Sequence, residues 1–83
     1  MKVIVFGKEG CHLCENVIAV LDRLSLEKHL DVSSQDITGN PELFERYNSI
    51  IPVVEINGKI RLGGSTLSDP DTLEHVLRRA LSI

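Results

Sequence analysis

The sequence predicts an α/β fold in the element order βαβαββα, a mixed four-stranded sheet flanked by three helices. Three observations carry this: a β-branched run followed by a helical stripe, an Asn-Gly dipeptide between two apolar runs, and two helix starts of the form cap, proline, acid. Val3-Ile4-Val5-Phe6, ended by Gly7, has the composition of a strand covered on both faces. After the loop Gly7-Lys8-Glu9-Gly10, the residues Leu13, Val17, Val20, Leu21 and Leu24 recur at spacings of three and four. They mark the apolar face of a helix expected to run to about Lys28. Leu30 to Ile37 is a more polar strand, which suits a sheet edge. Strand, helix and strand in so short a stretch form a βαβ unit with its first and second strands parallel.

Asn40-Pro41-Glu42 starts a short helix to Asn48: a capping side chain, a proline whose missing N–H costs nothing there, and an acid at the positive dipole end. Val53–Ile56 and Lys59–Leu62 flank Asn57-Gly58, whose tolerance of positive φ predicts a two-residue turn and an antiparallel hairpin. Asp69-Pro70-Asp71 repeats the helix start, and Leu73, Val76, Leu77, Ala80 and Leu81 form its stripe, with Arg78-Arg79 near the negative end.

Eighty-three residues suffice for one domain, expected to span 1–83. A net charge of −3 with no block of like charge argues against nucleic acid or anionic lipid as partner, and one Tyr, two Phe and no Trp make no stacking platform. The N-terminal apolar run is too short for a signal peptide, and no stretch reaches the ~18 apolar residues of a membrane helix. A cytoplasmic monomer is the expectation.

Cys11 and Cys14 are the only cysteines, three apart, where the first loop becomes the first helix. A secreted disulfide scaffold would spread more cysteines along the chain. A thiolate at a helix N-terminus faces unpaired N–H groups and the positive dipole end, which lowers a cysteine pKa from about 8.5 into the range 3.5–7.5. Cys11 is therefore the expected nucleophile, and Cys14, one turn in and more buried, the resolving thiol. His12 and Lys8 are candidates to add positive charge beside Cys11.

The run Lys8-Glu9-Gly10-Cys11-His12-Leu13-Cys14, then Ile50-Ile51-Pro52-Val53 before the hairpin and Gly63-Gly64 after it, resembles the glutaredoxins and, more broadly, the thioredoxin fold over nearly the whole chain. That resemblance implies a thioredoxin-like architecture, thiol–disulfide oxidoreductase activity, and a cis Ile51–Pro52 bond opposite the cysteines. The Ile51 backbone would there pair with a bound thiol peptide, and Leu13 would stand where an aromatic residue is common. Glutathione contacts carried over from the resemblance fall on Lys8, Ile51, Ser65 and Thr66, with Gly63 and Gly64 admitting a ligand backbone. Glutaredoxins usually carry an acidic pair after Gly-Gly; Ser65-Thr66 stands there in this chain. The expected substrates are thus protein disulfides or glutathione mixed disulfides, with no bound cofactor, glutathione as a candidate co-substrate and a reductase as electron donor.

The alternative class is a non-catalytic module holding Cu(I) between the same two thiolates. Glu9, where metallochaperone-like domains tend to carry Met, and the C-terminal helix count against it. A structural zinc site needs four ligands, and His12, His29 and His75 have no paired spacing.

Overall fold

The computed structural model describes all 83 residues except the side chains at positions 60 and 61. Four strands, β1 (Lys2–Gly7), β2 (Asp31–Asp36), β3 (Val53–Ile56) and β4 (Ile60–Gly63), form one sheet in the order β2-β1-β3-β4. β1 runs parallel to β2 and antiparallel to β3, and β4 is antiparallel to β3. Three α-helices, α1 (His12–Leu24), α2 (Pro41–Tyr47) and α3 (Leu73–Leu81), flank it, and 3-10 turns cover Ile37–Gly39 and Gly64–Leu67. This is the mixed four-stranded α/β architecture that the element order predicts, and the thioredoxin-like fold that the resemblance implies. No helix among the described residues is long and apolar enough to cross a membrane.

Alternation along the central strands divides the core. Val3, Val5, Val54 and Ile56 pack against Val17, Leu21 and Leu24 of α1 and Leu73, Leu77 and Leu81 of α3. Phe6 and Val53 point the other way, to Ile37 and Tyr47, with the Phe6 and Tyr47 rings 5.1 Å apart. β2 is the polar edge, and α2 begins as predicted, the Asn40 side chain accepting from the Glu42 and Leu43 N–H groups.

Four boundaries differ from expectation. α1 ends at Leu24, not Lys28, because the next turn would place Glu27 and Lys28 on the apolar face; turns from Ser25 replace it, leaving Leu26 86% exposed. Ile37 leaves the strand to become fully buried at the start of a 3-10 turn, which the Asp36 side chain caps. The hairpin register pairs Ile56 with Ile60, so the loop holds three residues rather than two, with Asn57 and Gly58 both at positive φ. Asn57 also ties the loop to β1, donating its N–H to Lys2 O and accepting from Lys2 N–H. Asp69 caps a turn instead of α3, accepting from Asp71 N–H; α3 starts at Leu73, the first residue of its buried face.

Candidate active site

The site is built where β1 passes into α1. Gly10, at φ +81, reverses the chain there, and Cys11 follows in an extended conformation as the residue that caps α1. Its Sγ accepts the backbone N–H of Cys14 at 3.1 Å, and its carbonyl accepts from Glu15. A sulfur thus does what an Asn or Ser oxygen does at other helix starts. Cys11 and Cys14 are joined by a disulfide, with Cα atoms 5.2 Å apart. Cys11 is half-buried, whereas Cys14 is only 4% exposed.

What lets Cys14 sit so deep is Gly7. A Cβ at position 7 would lie 2.8 Å from Cys14 Sγ, so only glycine allows the helix to descend onto the strand end. The sequence marked Gly7 only as a strand terminus. A glycine closing a β-branched run just before a C-x-x-C loop is the signal that could have pointed to its packing role.

Pro52 is buried, and the Ile51–Pro52 peptide is cis. Since Phe6 pairs with Val53, the next position outward sets Pro52 beside Gly7, and so near the residue on which Cys14 rests. Gly63 and Gly64 close up against the chain itself: Gly64 N–H donates to Ile50 O at 2.7 Å, and a Cβ on Gly63 would lie 3.2 Å from Val53 and 3.3 Å from Ile50 O. Ile51 is half-buried, and Ser65 and Thr66 are exposed in the 3-10 turn that follows. Leu13 and Ile50 remain partly exposed apolar residues, at 37% and 42%.

The remaining expected contributors lie elsewhere. His12 projects into solvent with 94% of its side chain exposed, its Nδ1 3.8 Å from a Glu15 carboxylate oxygen rather than against Cys11. Solvent at that exposure screens any charge it carries. Lys8 is exposed and lines an open cleft of about 330 Å³ between α1 and β2, together with Gly7, Cys14, Ile18, Ser34 and Asp36. No hydrogen bond or ion pair among the described residues links Lys8 to the 63–66 segment. In the same cleft wall, the Thr38 hydroxyl and backbone N–H hold the Asp36 carboxyl below its ordinary value of 3.8. No group of three or more His, Cys, Asp or Glu side chains among the described residues is placed to hold a metal ion.

A disulfide-bonded cysteine pair at the start of the first helix, beside a cis-proline strand, defines a thioredoxin-fold protein with a site suited to redox chemistry. Residues 2–82 match the family described as Glutaredoxin-like domain (DUF836), and the chain belongs to that family. It is similar to the solution structure of protein Ne2328 from Nitrosomonas europaea, at 36% identity over 77% of this chain and 78% of that one, with a TM-score of 0.67. The X-ray structure of protein XcR50 from X. campestris, at 19% identity, covers 93% of this chain and 96% of its own with a TM-score of 0.67. Thioredoxin 1 of Thermosipho africanus, at 18% identity, covers 99% and 96% with a TM-score of 0.65. These last two share the fold. No curated protein sequence matches the chain.

Proposed function

We propose that this protein is a thiol–disulfide oxidoreductase that works through a dithiol mechanism on protein disulfides or glutathione mixed disulfides. One observation carries the reading: Cys11 Sγ sits at the N-terminus of α1 accepting a backbone N–H, while its partner Cys14 lies buried one turn in. Electron density developing on Cys11 meets an N–H donor and the positive helix end, and on Cys14 it does not. Cys11 as thiolate attacks one sulfur of a substrate disulfide, forming a mixed disulfide and expelling the other sulfur as a thiolate. Cys14, giving up its proton to solvent, then attacks Cys11 Sγ and releases the second substrate thiol. Two electrons pass to the substrate and the Cys11–Cys14 disulfide is left. Two thiol equivalents, from glutathione or a reductase dithiol, reduce it back to the dithiol and are themselves oxidised to a disulfide. The half-exposed apolar side chains of Leu13 and Ile50 and the Ile51 backbone are the groups offered to a partner chain on this reading.

The test is a pair of variants against a protein disulfide. Cys14→Ser is expected to accumulate a mixed disulfide at Cys11, visible as a mass adduct released by dithiothreitol. Cys11→Ser is expected to reduce the substrate no faster than buffer thiol does; the original rate in that variant would overturn the assignment. Running the wild type with glutathione plus its reductase, then with thioredoxin reductase, identifies the electron donor.

A further inference from the structure

The charges around Cys11 are unevenly placed. Glu9 stands two residues before it, so their Cα atoms are at most about 7.6 Å apart. Glu15 lies one helical turn beyond it, its N–H donating to the Cys11 carbonyl at 3.1 Å. Both are exposed, and with Asp36 at the end of β2 they line the cleft beside α1. Lys8 lines the same cleft, and His12 Nδ1 is 3.8 Å from a Glu15 oxygen. Three carboxylates thus face two basic side chains, and the balance on this side stays negative even with His12 protonated. Toward β3 and β4 the chain is uncharged, since residues 50–53 and 63–66 include no acid and no base. The half-buried Cys11 therefore lies between an acidic rim and a neutral one.

Resting on the dithiol reading above, we infer that the site selects its substrate by charge. It takes protein segments that carry Lys or Arg next to the reacting cysteine, and it discriminates against anionic thiols, glutathione among them. The carboxylates act on the approaching segment, drawing a cation toward Cys11 and repelling an anion, within the ~10 Å screening length of about 0.1 M salt. The Cys11 sulfur has its own donor in the Cys14 N–H, so selection and nucleophilicity rest on different groups. Glutathione brings two carboxylates and one ammonium and meets this rim as an anion. Lys8, the cation nearest to hand for a carboxylate of glutathione, shares its cleft with Glu9, Glu15 and Asp36.

The test uses the Cys14→Ser protein and three peptides, alike except for Lys, Gln or Glu beside a single cysteine held in a disulfide with 5-thio-2-nitrobenzoate. The Cys11 thiolate forms a bond to the peptide sulfur, and the nitrobenzoate thiolate leaves with the electron pair and is read by its absorbance. At about 10 mM salt, where screening sets in only at ~30 Å, the Lys peptide is expected to react about tenfold faster than the Glu peptide, with Gln between them. At about 1 M salt the three rates should converge. Glu9→Gln combined with Glu15→Gln should shrink the low-salt ratio to about twofold. That ratio is unmoved by any change in Cys11 reactivity common to all three peptides, so it reads selection alone. Glutathione carrying the same chromophore is expected to react as slowly as the Glu peptide. Equal low-salt rates for Lys and Glu, a ratio that survives 1 M salt or the paired Gln substitutions, or a glutathione adduct as fast as the Lys peptide overturns the inference. Failure of the dithiol reading itself is distinguishable, since all three peptides would then react no faster than with free cysteine, whereas a charge-blind Cys11 would react fast and equally with each.

Discussion

At its N-terminal end α1 is capped by a sulfur atom and rests on a glycine; at its C-terminal end it is fastened to α3 by ion pairs and leucine packing. Arg23 pairs with Glu74, Glu74 accepts from Arg78 Nε at 3.0 Å, and Arg78 reaches Glu27 at 2.8 Å. Lys28 Nζ donates to Leu81 O at 2.8 Å, and Leu21, Leu24, Leu77 and Leu81 are all but fully buried between the helices. The reactive end has no such redundancy: a cleft opens beside Cys14, and the neighbouring Lys8, Glu9 and His12 are exposed. On the proposed function, a bond made and broken at each turnover needs a first turn able to adjust, and a far end that holds the helix on the sheet while it does. The side-chain fastening is concentrated at one end and the cysteine pair at the other.

Breaking the fastened end should cost most. Leu77→Ala empties a fully buried position between α3 and the sheet and is expected to lower unfolding free energy by about 2–5 kcal/mol in denaturant titration. Its effect on the reactivity of Cys11 should be small by comparison. Gly7→Ala probes the other end: the added methyl has to displace Cys14 Sγ, at an overpacking cost of about 1–3 kcal/mol. Because the sulfur is free to rotate once reduced, the oxidised form bears more of that cost. A redox titration should show the variant shifted toward the dithiol, and an unshifted titration would remove Gly7 as a determinant of Cys14 position.

Smaller effects sharpen the contrast. Ser82 ends α3 in the left-handed conformation at φ +59, with its N–H and that of Ile83 bonded back to Arg79 and Arg78 carbonyls. Glycine is at ease there, so Ser82→Gly is expected to raise stability by about 1 kcal/mol, read as a higher Tm. The Arg78 hydrogen bond first, then the Arg23 charge, holds the Glu74 carboxyl below its ordinary 4.5. A carboxyl with a depressed folded pKa stabilises above its unfolded pKa and loses that contribution as pH falls through the folded value. Glu74→Gln should therefore be slightly less stable than wild type at neutral pH, with the gap closing on acidification below about pH 4. A gap constant from neutral to acid would show that the ion pairs contribute nothing.

The legible parts of the fold were those with a local cause. The Val3–Phe6 run, the α1 stripe, the Asn40-Pro41 start and the positive-φ turn each depend on residues close in sequence, and each formed. Asp69-Pro70 had the same local signature as Asn40-Pro41 but capped a turn, because the buried positions of Leu73, Leu77 and Leu81 decide where α3 lies on the sheet. At the site, the dithiol and its helix start were visible in the spacing, whereas the solvent-facing direction of His12 and the position of Lys8 in the β2-side cleft were not. Where a side chain at a helix start or on a loop comes to lie depends on how the helix and strands pack, which the spacing alone does not give.

By itself, then, the sequence determined the order of elements, the cysteine pair at the helix start and the β-branched strand beneath it, since propensity, capping and periodicity act over a few residues. Only the tertiary structure decided how deep Cys14 lies and what lies beside it. That depth depends on Gly7 meeting a sulfur across the strand–helix contact, and the cleft on β2, the edge strand of the sheet, standing beside α1. Both are consequences of close packing between segments far apart in the chain, which pairwise spacing along the sequence does not encode.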